Sequence, residues 1–186
     1  KYLLLLQILK GKKVAVFSPE DDPAHEFYND FVEMYFGKSC IYGDDRPNEF
    51  QYEHIYDLIT KNIFFVYPKD IAPTPEYIKE RFLELIIKEK VEFCMIDPFN
   101  QMTNEYARSG GRSDKYLETL LSDFRRFARV NEIYFIIVAH PKTLQKKPDG
   151  NYPCPDVFDI ADGAMWNNKM DNILVYHLPY RQTDQF

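Results

Sequence analysis

A chain of 186 residues with 45% hydrophobic content has enough apolar side chain to bury a core, which excludes a disordered chain and suggests one domain, residues 1–186. Its net charge of -6 excludes a protein coated in positive charge for nucleic acid, although a local basic channel stays open. Cys40, Cys94 and Cys154 form no CxxC pair and no Cys/His metal spacing, so they read as reduced thiols of a cytoplasmic protein, and no apolar run approaches the roughly 18 residues of a membrane span.

Residues 2–9 read as a helix stopped by Gly11. The opening KYLLLLQILKGKK is basic then apolar, as a signal peptide is. It has no small-residue cleavage site and runs straight into a strand, so a buried first helix is the better reading. "KVAVFS" (13–18) is a short strand. Residues 23–36 are helical, with apolar residues at Phe27, Phe31, Met34 and Tyr35, and residues 48–60 form another helix. "IFFVY" (63–67) is a strand. Thr74 caps a helix over 75–90 that has Pro75 in its first turn. Residues 92–96 are a strand, and Ser113 or Asp114 opens a helix to Val130 whose Leu117, Leu120, Leu121, Phe124 and Phe127 recur at helical spacing. "IYFIIVA" (133–139) is a strongly apolar strand. After a long loop come a short helix over 164–169 and a last strand over 172–177. Strands alternating with helices predict an α/β fold with a mainly parallel sheet and helices on both faces.

Ligands of open α/β sheets sit at the carboxyl ends of the strands. Three predicted strands end in reactive groups: Glu20 after "VAVFSP", Asp97 after "EFCMI" and His140 after "IYFIIVA". A carboxylate at such an end is placed to hold Mg²⁺ or its waters, a second one to polarise an attacking water, and an imidazole to contact a terminal phosphate. Taken singly, Asp97 before Pro98 also suits a turn, Glu20 a solvated "PEDDP" loop, and His140 a satisfied strand end. Taken together on one sheet edge, they favour phosphate chemistry.

"VFSPE", "IDPFNQM", "FARVNEIYFIIVAHPK" and "DIADGAMWNNKMDN", in this order, resemble the RecA-like ATPase domain of hexameric replicative DNA helicases. Within these they are similar to the primase–helicase branch found in phages and related to the mitochondrial helicase Twinkle. The resemblance implies an ATP- and Mg-dependent motor that translocates on single-stranded DNA and unwinds duplex in replication. It implies that Glu20 activates water, Asp97 lies near Mg²⁺ as the Walker B aspartate, and His140 senses phosphate. It also implies that two loops, residues 99–114 and 141–156, face the channel of a ring-forming homo-oligomer, a hexamer, and touch DNA. They carry Arg108 and Arg112, then Lys142, Lys146 and Lys147; as plain sequence, both also read as solvated surface loops. Asn168, Lys169 and Asp171 match the last motif, with a channel or interface role. Trp166 either stacks on a base or belongs to the core.

The chain departs from that family in its P-loop and in its arginine finger. A P-loop needs G-x-x-x-x-G-K-[ST], and none is present. "GKS" at 37–39 has Val32 where the first glycine belongs and follows a helix, so it is a decoy. Lys1 precedes Tyr2 rather than Ser or Thr, and Arg181 reads as a surface arginine rather than an arginine finger. The expectation is an incomplete RecA-like P-loop NTPase core, a fragment lacking its first strand and P-loop, that alone neither binds ATP tightly nor turns it over. Two further readings remain: a RecA-like recombinase or loader ATPase without unwinding, and a degenerate, non-enzymatic assembly module.

Overall fold

Four short strands pair in parallel in the order β2-β1-β3-β4. The structure, a computed structural model, describes residues 1–21, 27–68, 70–103, 105 and 110–178. The chain divides into two units, Lys1–Thr103 with Ala128–Val138, and Asn104–Phe127 with Ala139–Phe186.

The first unit holds the sheet. Its elements are α1 (Tyr2–Ile8), β1 (Val14–Phe17), α2 (Tyr28–Phe36), α3 (Glu49–Asn62), β2 (Ile63–Phe65), α4 (Pro75–Glu89), β3 (Phe93–Ile96) and β4 (Tyr134–Ile137). Each lies where the sequence pattern predicts, one or two residues shorter at most strand ends. The predicted helix over 23–36 is seen from Tyr28 onward; residues 23–26 lie outside the described residues.

Local chemistry sets the helix boundaries. Asn48 Oδ1 accepts from the Gln51 N–H at 2.9 Å, and Gln51 Oε1 accepts from the Asn48 N–H at 3.0 Å, a reciprocal cap at the start of α3. Thr74 Oγ1 accepts from the Tyr77 N–H at the start of α4, as predicted. Gly37 closes α2 with φ +64°, a conformation that a residue with a Cβ adopts only under strain. The "GKS" at 37–39 is therefore a helix stop, with Ser39 Oγ donating back to Glu33 Oε1.

Period-two alternation divides the strands between two cores. Val14, Val16 and Met95 pack with Leu4, Leu5 and Ile8 of α1, Phe31 and Val32 of α2, and Ile55 and Ile59 of α3. On the other face Phe82 of α4, fully buried, meets Phe135 of β4 edge-on at 5.8 Å. Each such side chain contributes roughly 1.5–3 kcal/mol by leaving water. Because both faces are covered, β1 is buried along its whole length, and for that reason its sequence shows no polar alternation.

The second unit is built on most of α5 (Ser113–Val130) and on α6 (Gly163–Lys169). A 3-10 turn at Val157–Asp159 is capped by Asp156, whose side chain accepts from the Phe158 N–H. α6 approaches this turn so closely that a Cβ on Gly163 would stand 2.3 Å from the Val157 carbonyl oxygen. Trp166 is 4% exposed, and its indole N–H donates to the Ala161 carbonyl. It is therefore a core residue of this unit.

The last predicted strand, 172–177, does not form: the backbone there is irregular and has no ladder partner among the described residues. Leu174 and Tyr176 are 79% and 86% exposed. An apolar run becomes a strand only when another strand takes up its amide and carbonyl groups.

Candidate functional site

The sheet order puts a topological switch at β1. The chain leaves β1 toward β2 on one side, then returns through α4 to β3 on the other. In such sheets the crevice beyond the carboxyl ends of the two diverging strands is where ligands bind. Here the strands are β1 and β3, with Phe17 opposite Ile96, and the ladder runs one step further as the Asp97 N–H donates to the Phe17 carbonyl at 2.9 Å. Glu20 and Asp97 thus follow the ends of adjacent parallel strands.

The turn after β1 displays Glu20. Ser18, buried, donates from Oγ to Asp21 Oδ2 at 2.6 Å, and the Asp21 N–H returns to the Ser18 carbonyl. Lys1 Nζ binds Asp21 at 2.6 Å and Asp30 at 2.7 Å and lies over the Phe27 ring. Burial alone would lower the pKa of the Lys1 ammonium, but the hydrogen bonds and charges of Asp21 and Asp30 outweigh it and hold it above the ordinary lysine value. With Asp21 so engaged, Glu20 stands exposed between clamped neighbours, and Gln101 Nε2 donates to its Oε1 at 2.7 Å.

Gln101 ends a 3-10 turn, Phe99–Gln101, that is pinned on both sides. The Phe99 N–H donates to the Val138 carbonyl at 2.8 Å, Met102 is buried, and the Thr103 N–H donates to the Pro73 carbonyl at 3.0 Å. Asp97 is half-buried. A single carboxylate at a strand end suits Mg²⁺, which keeps several waters and takes one or two carboxylates together with substrate phosphates. No group of three or more His, Cys, Asp or Glu gathers among the described residues, so this donor set is not an all-protein cage.

His140 is exposed, three residues beyond β4, and belongs to the second unit. There residues 141–156 fold into a finger. At its base the Lys142 N–H donates to the Asp159 carbonyl at 2.8 Å, and its tip turns where the Lys147 N–H donates to the Asn151 carbonyl at 2.8 Å. Lys142, Lys146 and Lys147 are exposed, and Lys146 Nζ lies 5.3 Å from the centre of the Tyr152 ring, itself 46% exposed. Arg112 is turned to Asp114, with Nε and Nη2 on the two carboxylate oxygens at 3.1 and 2.5 Å. That fork raises the arginine pKa and lowers the aspartate's. Asn168 is exposed, Lys169 donates to Glu118 at 3.2 Å, and Asp171 pairs with Arg125. Arg108 and Arg181 lie outside the described residues.

Gln101, Asp21 and Tyr152 escape sequence reasoning, which weighs Lys1 only against a P-loop lysine. Gln101 was within sight, four residues past Asp97 in "IDPFNQM", but its bond to Glu20 spans 81 residues.

The architecture is an α/β fold whose four-stranded parallel sheet is flanked by helices, consistent with a RecA-like core, and its acidic residues stand at a switch point. No protein-family model matches the chain. It is similar to the Twinkle homolog protein, chloroplastic/mitochondrial, of Arabidopsis thaliana, 28% identical over 109 residues, 58% of this chain. The chain spans 15% of that protein's length. The likeness is distant and partial, and supports a relationship to a Twinkle-like, helicase-related family. No described helix is long and apolar enough to cross a membrane.

Proposed function

We propose that the chain is part of the motor of an ATP-driven replicative DNA helicase, which in the full-length protein works as a ring, a hexamer, on single-stranded DNA. The observation that carries this reading is the pair of carboxylates, Glu20 and Asp97, just beyond the adjacent ends of β1 and β3 at the switch point. The partial similarity to a Twinkle homolog supports it.

In this reading Glu20 takes the proton of the attacking water. The water oxygen forms its bond to the γ-phosphorus while the bond to the β–γ bridging oxygen breaks, and ADP leaves with that electron pair. Asp97 is the residue that would hold Mg²⁺. When bound, that ion neutralises charge on the phosphate oxygens. His140 contacts the terminal phosphate and registers its loss. No P-loop sequence occurs in the 186 residues, so the amides and lysine that cradle phosphates are not among those assigned here.

The finger at 141–156 is the DNA contact best supported by geometry. Lysines on an exposed turn beside an exposed tyrosine combine phosphate attraction with a stacking face. Arg108, Arg112, Asn168 and Lys169 are proposed as further contacts. Of these, Arg112 and Lys169 must first leave Asp114 and Glu118, and such exposed pairs are weak enough to exchange for a phosphate. Replacing Lys142, Lys146 and Lys147 together by alanine in the full-length protein is expected to flatten the salt dependence of single-strand binding. At about 0.7 per lost phosphate contact, the log–log slope should drop by about 2. An oligonucleotide anisotropy titration at several salt concentrations checks this, and an unchanged slope removes the finger from the interface.

Strand displacement tests the reading as a whole. The full-length protein with Mg²⁺ and ATP should separate a forked duplex. ATP turnover without displacement would instead favour a recombinase- or loader-type ATPase. Neither turnover nor displacement would leave an assembly module.

A further inference from the structure

We infer that Gln101 is a positioning residue for Glu20. The inference rests on the water-activating role proposed above. Its basis is the 2.7 Å hydrogen bond from Gln101 Nε2 to Glu20 Oε1 and the pinned backbone of the turn that carries Gln101. Glu20 is an exposed side chain on a turn, with rotamers open to it. Gln101 ends a turn fixed by the backbone bonds of Phe99 and Thr103 and by the burial of Met102. The bond ties the Glu20 carboxylate to a side chain whose backbone turn is pinned, and so narrows the rotamers open to it. One oxygen is occupied, and Oε2 is left to accept a proton from water.

A carboxamide suits this task. It donates without carrying charge, so it fixes the carboxylate without forming an ion pair with it, as a lysine or arginine would. Asp21, one residue along, shows the alternative: it is held by Lys1 and Ser18 and is thereby committed to structure. The two neighbouring carboxylates are thus divided, one anchored and one aimed.

The test is a double-mutant cycle in the full-length protein, with ATP turnover followed at steady state. Gln101→Ala should lower kcat about tenfold with KM within about twofold, since misplacing a reacting group costs rate rather than binding. In a Glu20→Gln background the same change should cost nothing further, because no base remains to be positioned. Crystal structures of the two full-length proteins should show Glu20 in one rotamer against Gln101, and in several once Gln101 is alanine. The melting temperature should stay within about 2 °C, as for other exposed changes. An equal fold-loss in both backgrounds would overturn the inference, as would an unchanged kcat or an undisturbed Glu20 rotamer. If Glu20→Gln alone keeps wild-type turnover, the water-activation reading has failed and takes this inference with it, a result distinct from additivity.

Discussion

Replacing Glu20 by glutamine in the full-length protein is expected to lower DNA-stimulated ATP hydrolysis by about 10²- to 10⁴-fold, the usual contribution of a positioned general base. Nucleotide affinity should change little. The substitution isolates basicity: glutamine keeps the length of glutamate and still presents an oxygen to Gln101 Nε2, so the bond at 2.7 Å can survive. The Ser18–Asp21 turn and its Lys1 anchor do not involve the Glu20 side chain, so the fold around the site should stand. Turnover assays beside equilibrium binding of a fluorescent nucleotide analogue separate the two effects. Turnover near wild type would show that another group activates the water.

Asp97→Asn should be nearly as damaging, by a different route. It removes the negative charge that would hold Mg²⁺ at the end of β3, and a metal ion's share of charge stabilisation is worth several kcal/mol, or about a hundredfold or more in rate. The backbone bond from Asp97 N–H to the Phe17 carbonyl is untouched by the change, so β1 and β3 remain paired. The diagnostic is a Mg²⁺ titration of ATP turnover: half-saturation should move to higher Mg²⁺ and the plateau should fall. A loss of rate with unaltered Mg²⁺ dependence would place the metal elsewhere.

The two substitutions probe residues whose neighbourhood was readable before any coordinates. β1 and β3 are short apolar runs between helices whose ends are marked by Gly11, Thr74 and Pro75, so their carboxyl ends could be located to within a residue. Parallel pairing followed from the alternation of elements. Other features are tertiary and leave no local trace. The 172–177 segment has the apolar character of a strand, but strand formation depends on a partner, and sequence pattern cannot supply one. The finger at 141–156 is held by the Lys142–Asp159 and Lys147–Asn151 backbone bonds, which any residue types could make, proline at the two donor positions excepted. Trp166 was ambiguous between base stacking and core, and the carbonyl of Ala161 on its indole N–H decides for the core. The Gln101–Glu20 bond joins two loops that only the sheet brings together.

The central claim is that a nucleoside triphosphate and its metal meet this protein at the carboxyl ends of β1 and β3. The most direct measurement is a structure of the full-length protein bound to a slowly hydrolysed ATP analogue with Mg²⁺. The account predicts the γ-phosphate beside Glu20 and the metal within one water of the Asp97 carboxylate. A nucleotide seated away from both strand ends, with Glu20 and Asp97 facing only solvent, would contradict it.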